Sequence, residues 1–382
     1  MSFASLGLSE PLLKAAAAQQ YTQPYPIQQE AIPAILRGKD IMGIAQTGSG
    51  KTASFVLPIL QQIQGKPAAK NRRIRVLVLV PTRELAVQVN EVFKALGQQL
   101  PRKVKTLAVY GGVSINPQMM QLQGTEILVA TPGRLLDLVS SKAVQLSEVE
   151  TLVLDEADKM LNMGFEEEMH KIFALLPARR QNILFSATLS NNIEDIKENL
   201  LQDPVKIEVH AEEGVTPEQI EQLAYHVDPE KKGPFLRYLI RRENMQQVLI
   251  FVSSTRTADN VAEKLNKNGI QAAAMHSKKS QGARTEALIK FKSGKVPVLV
   301  ATDLASRGID IQSLPYVINY ELPRSPKDYV HRIGRTGRAG ASGKAISLIT
   351  PEDQHHFKII QKKMGKRVEM LDSNSEPGFT GS

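Results

Sequence analysis

The chain has 382 residues, 42% hydrophobic and 23% charged, with a formal charge of +9 and no cysteine. That length argues for two domains rather than one core. The lack of cysteine excludes disulfides and thiolate-held metals and suits the cytoplasm. No apolar run approaches the length of a membrane span, and the start, Met1-Ser2-Phe3-Ala4-Ser5-Leu6, lacks the basic residues and apolar centre of a signal peptide. Most of the positive excess falls after His210, which fits either a polyanionic partner or ordinary solubility charge.

In chain order, strands are predicted at Ile41–Ile44, Val76–Val80, Lys105–Val109, Glu126–Ala130, Leu152–Leu154 and Asn182–Phe185. Helical patterns lie between them. In Arg83–Leu96 the apolar residues Leu85, Val89, Val92, Phe93 and Leu96 fall on one face. Strand and helix in alternation argue an α/β fold whose mostly parallel sheet is covered by helices on both faces. The scheme repeats at Val248–Val252, Gln271–Met275, Val298–Ala301, Tyr316–Asn319 and Ala345–Ile349. Residues 210–218, polar with Gly214 and Pro217, read as a linker between a domain at 1–209 and another at 219–365. Residues 366–382 are expected to be a disordered tail.

Two stretches of the first half carry chemistry. Ala45-Gln46-Thr47-Gly48-Ser49-Gly50-Lys51-Thr52 follows a strand and opens a helix. Small residues there let backbone N–H groups wrap phosphate oxygens, while Lys51 reaches the β/γ-phosphates and the Thr52 hydroxyl binds Mg²⁺. The pattern usually begins with Gly where this chain has Ala45, but Gly48, Gly50 and Lys51 are intact. The second stretch is the strand ending Leu154-Asp155-Glu156-Ala157-Asp158. Three carboxylates in four positions repel one another unless a cation sits among them. Asp155 is therefore expected at the metal, and Glu156 is placed to orient or deprotonate the attacking water.

Asp155-Glu156-Ala157-Asp158 is the sequence that names the DEAD-box RNA helicases, and the chain resembles that family from Phe3 to about Lys363. The motifs come in order: Pro24-Tyr25-Pro26-Ile27-Gln28, the phosphate loop, Pro81-Thr82-Arg83-Glu84-Leu85-Ala86, Gly111-Gly112, Thr131-Pro132-Gly133-Arg134, the acidic box and Ser186-Ala187-Thr188. The second half adds Gln281-Gly282-Ala283-Arg284, the run from Ala301 to Asp310, and His331-Arg332-Ile333-Gly334-Arg335-Thr336-Gly337-Arg338. The flanking sequence looks most like the bacterial RhlE-type subgroup.

The resemblance implies two tandem RecA-like domains, ATP and Mg²⁺ as cofactors, and RNA as partner. Gln28 would read the adenine edge, since an amide offers both donor and acceptor. Tyr21 would stack on the base, with Phe3 as the isolated upstream aromatic; the family usually has Gly-Phe where this chain has Gln20-Tyr21. Phe3 has the alternative of a staple onto the first helix. Thr47, Gly48, Ser49, Gly50, Lys51 and Thr52 would hold the phosphates, and Gly308 and Asp310 the ribose end. Arg335 and Arg338 resemble arginine fingers, whose planar, permanent charge stabilises the γ-phosphoryl group in transfer. Arg83, Gly112, Thr131, Arg134, Gln281, Arg284 and Thr302 match the family's RNA-binding positions. None of them forms a base-reading set, so RNA would be held by its backbone. If about five phosphates are held, affinity falls with salt at a log–log slope of roughly −3.5. Asp158, Ser186, Thr188 and His331 would couple nucleotide to strand separation.

The implied activity is ATP-driven, local and non-processive unwinding of short RNA duplexes, or remodelling of RNA–protein complexes, by a cytoplasmic monomer. Ribosome-assembly or RNA-degradation proteins would be its further partners, with no membrane involved. The alternatives are an ATP-gated RNA clamp or scaffold, and a DNA helicase or translocase of the same superfamily.

Overall fold

A computed structural model describes residues 2–45, 49–67, 72–188, 191–209, 220–303, 314–336 and 343–380. The chain divides into two compact units, Met1–Glu212 and Glu213–Ser382. The polar stretch read as a linker lies outside the described residues.

In the first unit seven strands form one sheet: β1 (Ile41–Ile44), β2 (Val76–Leu79), β3 (Thr106–Val109), β4 (Ile127–Ala130), β5 (Thr151–Leu154), β6 (Gln181–Ser186) and β7 (Val205–Glu208). Their spatial order is β3-β4-β2-β5-β6-β1-β7, with every pairing parallel. Side chains alternate across a strand, so Val76 and Val78 enter one core while Leu77 and Leu79 enter the other. Helices Lys51–Gln64 and Arg83–Gly97 supply Phe55 and Phe93 to the first of these cores. Helix Pro132–Ser140 supplies Leu135 and Leu138 to the second. Both faces of the sheet are thereby sealed.

The second unit contains β8 (Glu221–His226), β9 (Val248–Val252), β10 (Ala272–Met275), β11 (Val298–Thr302), β12 (Tyr316–Asn319), β13 (Lys344–Ile349) and β14 (Glu369–Asp372). Their order is β10-β11-β9-β12-β13-β8-β14. Adding seven to each strand number of the first sheet reproduces the second. Both units are parallel sheets flanked by helices, the RecA-like arrangement.

One expectation is corrected. The tail read as disordered instead closes the sheet edge: β14 pairs parallel with β8 in the register Glu369↔Leu223 to Asp372↔His226. Beyond it, the Phe379 ring meets Phe235 edge-on at 4.9 Å, the Tyr238 hydroxyl donates to the Pro377 carbonyl at 2.7 Å, and Glu376 pairs with Arg242. The polar composition concealed these anchors, because only Val368, Leu371 and Phe379 pack against the core. An exposed edge needs few buried side chains, since backbone hydrogen bonds hold it.

Candidate functional site

The carboxyl ends of parallel strands are where ligands bind in such sheets, and in the first unit this edge divides in two. The adjacent strands β5, β6 and β1 end in the acidic box, the Ser-Ala-Thr segment and the phosphate loop. The adjacent strands β3, β4 and β2 end in Gly111-Gly112, Thr131 and Thr82-Arg83.

On the first side, Ser49 and Gly50 lead into the helix that starts at Lys51, with Thr52 half-buried in its first turn. Thr47 and Gly48 lie outside the described residues. Lys51 is buried and its Nζ donates to the Ala45 carbonyl at 2.9 Å, spanning the mouth of the loop. Gly50 has φ +85°, and a Cβ there would lie 2.5 Å from Gln28 Nε2. The reason is a clamp that sequence reasoning missed. Gln28 Nε2 donates to the Gly50 carbonyl at 3.0 Å, and its Oε1 accepts from the Tyr25 N–H at 3.0 Å. The amide expected at adenine also fastens its own helix to the phosphate loop, and it retains one N–H and one lone pair for a ligand. Phe3 is nearly buried and stacks on Tyr21, with centroids 6.2 Å apart and planes at 24°. It backs the tyrosine while packing into the core. Gln20 adopts φ +60°, the left-handed conformation that explains why the family favours glycine there.

The acidic box is buried: Asp155, Glu156 and Asp158 are 3%, 5% and 7% exposed. Glu156 sits at φ +57° where the strand turns into helix Ala157–Asn162. Asp155 Oδ1, Glu156 Oε2 and Asp158 Oδ1 accept no hydrogen bond from the protein. Burial pushes the Asp155 carboxyl up to about 6, and Glu156 adds to this, while Lys51 and Lys159 oppose it. Glu156 Oε1 is held by Lys159 Nζ at 2.6 Å. Such orphaned oxygens fit a hard divalent cation. Mg²⁺ is such an ion, usually held by one or two protein oxygens plus phosphate.

Thr188 Oγ1 donates to Asp158 Oδ2 at 3.1 Å, linking β6 to the box. Ser186 does not share that bond; its hydroxyl donates to the Thr188 carbonyl at 2.8 Å, shaping the turn that presents Thr188.

On the other side, Arg83 is the first residue of its helix, capped by Thr82, whose Oγ1 accepts from the Leu85 N–H at 3.3 Å. The Arg83 guanidinium lies against Gly112: a Cβ on that residue, at φ +76°, would be 2.2 Å from Nη2. Thr131 caps helix Pro132–Ser140 with an extended backbone but does not use its hydroxyl on the helix. Arg134 donates from Nη2 to the Val113 carbonyl at 2.8 Å and from Nε to Asp137 at 3.3 Å, while Nη1 finds no acceptor in the protein. The loop after β3 and the corners after β4 and β2 therefore converge.

In the second unit Gln281 and Arg284 open helix Gln281–Lys292, which follows β10, and Thr302 ends β11. These strands correspond to β3 and β4. Ser254 corresponds to Thr82: it caps the helix after β9, accepting from the Thr257 N–H at 3.0 Å. Sequence reasoning passed over it, although the strand-then-hydroxyl repeat was visible. His331 is exposed on helix Pro326–Ile333, and Arg335 follows that helix with its N–H on the Arg332 carbonyl at 3.2 Å. Gly308, Asp310 and Arg338 lie outside the described residues.

Residues 25–196 match the family model for the DEAD/DEAH box helicases, and residues 231–340 match that for the helicase conserved C-terminal domain. Over 373 residues the chain is 41% identical to the DEAD-box ATP-dependent RNA helicase CshA of Bacillus cereus, covering 97% of this chain and 70% of that protein. The chain belongs to the DEAD-box ATP-dependent RNA helicases. CshA of Bacillus subtilis is 39% identical over 372 residues, covering 97% of this chain and 74% of its own. Among solved structures, Saccharomyces cerevisiae Dbp5 bound to RNA and ADP BeF3 superposes with a TM-score of 0.82 at 31% identity, covering 98% of this chain and 96% of that one. A DEAD box protein of Methanococcus jannaschii is 36% identical, with a TM-score of 0.55 and coverage of 97% and 99%. The bacterial relatives named here are CshA helicases, so the RhlE-type subgroup rests on flanking sequence alone. As a DEAD-box helicase the chain is an ATP hydrolase. Among its described residues no helix is long and apolar enough to cross a membrane.

Proposed function

We propose that this DEAD-box helicase holds single-stranded RNA by its backbone and uses ATP binding and hydrolysis to open short duplexes locally, or to remodel RNA–protein complexes, without processive movement. The observation that carries the reading is the divided sheet edge of the first unit, whose two sides are a phosphate-loop site and a row of arginine and threonine corners. The Dbp5 structure, which contains RNA and ADP BeF3, supports assigning both ligands.

On this reading Lys51 and the loop amides bind the β/γ-phosphates. Thr52 and Asp155 hold Mg²⁺, which when bound neutralises charge developing on those phosphates. Glu156 orients the attacking water and takes its proton. Arg335 and Arg338 stabilise the γ-phosphoryl group in transfer, a contribution worth about 10³–10⁵ in rate. Tyr21, backed by Phe3, stacks on adenine while Gln28 reads its edge; Gly308 and Asp310 take the ribose end. Arg83, Gly112, Thr131 and Arg134 grip RNA phosphates in the first unit, and Gln281, Arg284 and Thr302 in the second. The Asp158–Thr188 bond and His331 couple the two events. ATP and RNA each favour the state that binds the other, so each tightens the other. The chain acts as a monomer in the cytoplasm.

The test is Glu156→Gln, assayed against wild type for RNA-stimulated hydrolysis, ATP-dependent RNA binding and displacement of a short RNA strand. The variant should retain binding and lose turnover by at least about 10². Unchanged hydrolysis in the variant would refute the role of Glu156. Wild-type hydrolysis without strand displacement would support a clamp, and stimulation by DNA equal to that by RNA would support a DNA translocase.

A further inference from the structure

Arg332 lies within the motif that carries the arginine fingers, yet it cannot be one. Its side chain is 2% exposed and is held by Asp303, Asn319 and Glu321 of the same unit. Nε and Nη2 donate to Asp303 Oδ1 and Oδ2 at 2.6 and 2.7 Å, a bidentate fork. Nη1 donates to Asn319 Oδ1 at 3.1 Å and to the Glu321 carbonyl at 2.6 Å. The guanidinium carbon stands 4.9 Å from the centroid of the Phe251 ring. Four of its five N–H groups are thereby engaged, and its charge lies over an aromatic ring.

These partners come from three different strand ends. Asp303 directly follows Thr302 at the end of β11, Asn319 ends β12 and Phe251 lies in β9. Glu321 extends the link: its carboxylate accepts from the Ser253 N–H at 2.5 Å, at the corner where Ser254 caps the helix after β9. Arg332 is thus joined to both second-unit corners that match the nucleic-acid corners of the first unit. Its other end meets the finger. The Arg332 carbonyl accepts the Arg335 N–H, and the Arg335 carbonyl accepts the Leu314 N–H at 3.1 Å.

We propose that Arg332 is a positioning residue that ties the RNA-facing strand ends of the second unit to the backbone carrying the Arg335 finger, through its fork with Asp303. RNA settling on Thr302 and its neighbours then fixes the finger, and hydrolysis answers to RNA. Lysine cannot replace this function, since one ammonium cannot make a planar, bidentate fork with Asp303 while donating to Asn319 and the Glu321 carbonyl. The inference rests on the proposed RNA-stimulated hydrolysis, and wild type serves as the control for that: no stimulation of wild type defeats the reading, while only the variants bear on Arg332.

The experiment compares wild type, Arg332→Lys and Asp303→Asn, the latter at a partly exposed site that tolerates substitution better. For each, RNA-stimulated kcat, the RNA concentration giving half-maximal stimulation, the Kd of fluorescent ADP and the melting temperature are measured. Both variants should lose about tenfold or more in stimulated kcat and need several times more RNA, because an ångström of misplacement is that costly. ADP, whose base and phosphates are read as held by the first unit, should bind within twofold of wild type. The double variant should be no worse than the poorer single one, since both remove one contact. A change in kcat alone or in RNA requirement alone overturns the proposal, as does a multiplicative loss in the double variant. Loss of ADP binding in step with melting temperature also overturns it, marking Arg332 as structural only.

Discussion

Replacing Gly112 with alanine separates what the glycine does for the fold from what it does for Arg83. The added Cβ would lie 2.2 Å from Arg83 Nη2 and 2.4 Å from Cζ, so the guanidinium must retreat by about 1 Å or more to reach ordinary contact. Arginine tips are flexible, and that retreat costs the fold little. The backbone cost is separate: at φ +76° an L-residue loses roughly 1–2 kcal/mol, offset by about half that from the stiffer unfolded chain. Urea unfolding should therefore report a loss of about 1 kcal/mol. RNA binding should suffer more, because a charge-assisted hydrogen bond to phosphate contributes about 1.5–3 kcal/mol, or roughly 10- to 100-fold in Kd. Gly112→Asn, whose side chain tolerates the left-handed region, should recover most of the stability but none of the RNA affinity. Fluorescence anisotropy with a short single-stranded RNA measures the second quantity. If Gly112→Ala leaves RNA affinity intact while Arg83→Ala weakens it, the contact between these residues does not position the arginine.

Asp155 gives a pH dependence whose sign is fixed. Its folded pKa, about 6, lies above the ordinary value of 3.8, so the ligand-free fold binds the extra proton and gains stability as pH falls. Between pH 7.5 and 5.5 the gain should be about 1 kcal/mol by thermal melting, should vanish in Asp155→Asn, and should oppose Mg·ADP affinity, which falls over the same window. Thr188→Ala removes the bond to Asp158; hydrolysis should persist within a few-fold while displacement of a short duplex drops at least tenfold. Equal losses in both assays would deny the coupling role. Phe379→Ala should destabilise the second unit by about 1–2 kcal/mol with unchanged ATPase activity. No shift in melting would mean the tail does not stay docked.

Strands buried on both faces were legible because that burial writes them as continuous apolar runs, so β9 and β12 coincide with their sequence reading, as does the apolar β1 beside an edge. The strands that escaped, β7, β8 and β14, lie at or next to an edge, where sequences such as Glu369–Asp372 bury little. The site divides similarly. Residue types that meet phosphate or metal are legible from chemistry, because few side chains can do that work at that spacing. What Gln28 and Arg332 hold inside the protein is not, since a long polar side chain reads the same whether it faces a ligand or a carbonyl 22 residues away.

The shared strand order has a consequence for where the chemistry resides. Lys232 opens the helix after β8 as Lys51 opens the helix after β1, and both are buried, but where the Lys51 ammonium donates to the Ala45 carbonyl that of Lys232 lies 5.1 Å from the Tyr320 ring centroid, and burial lowers its pKa despite Asp353 and Glu321. The second unit repeats the strand order of the first, but the lysine at this position faces a tyrosine ring. Repetition of a scaffold has freed one copy from cradling the phosphates. Its corresponding strand ends, at β12 and β13, organise side chains against one another, and the helix between those strands leads into the segment that bears Arg335.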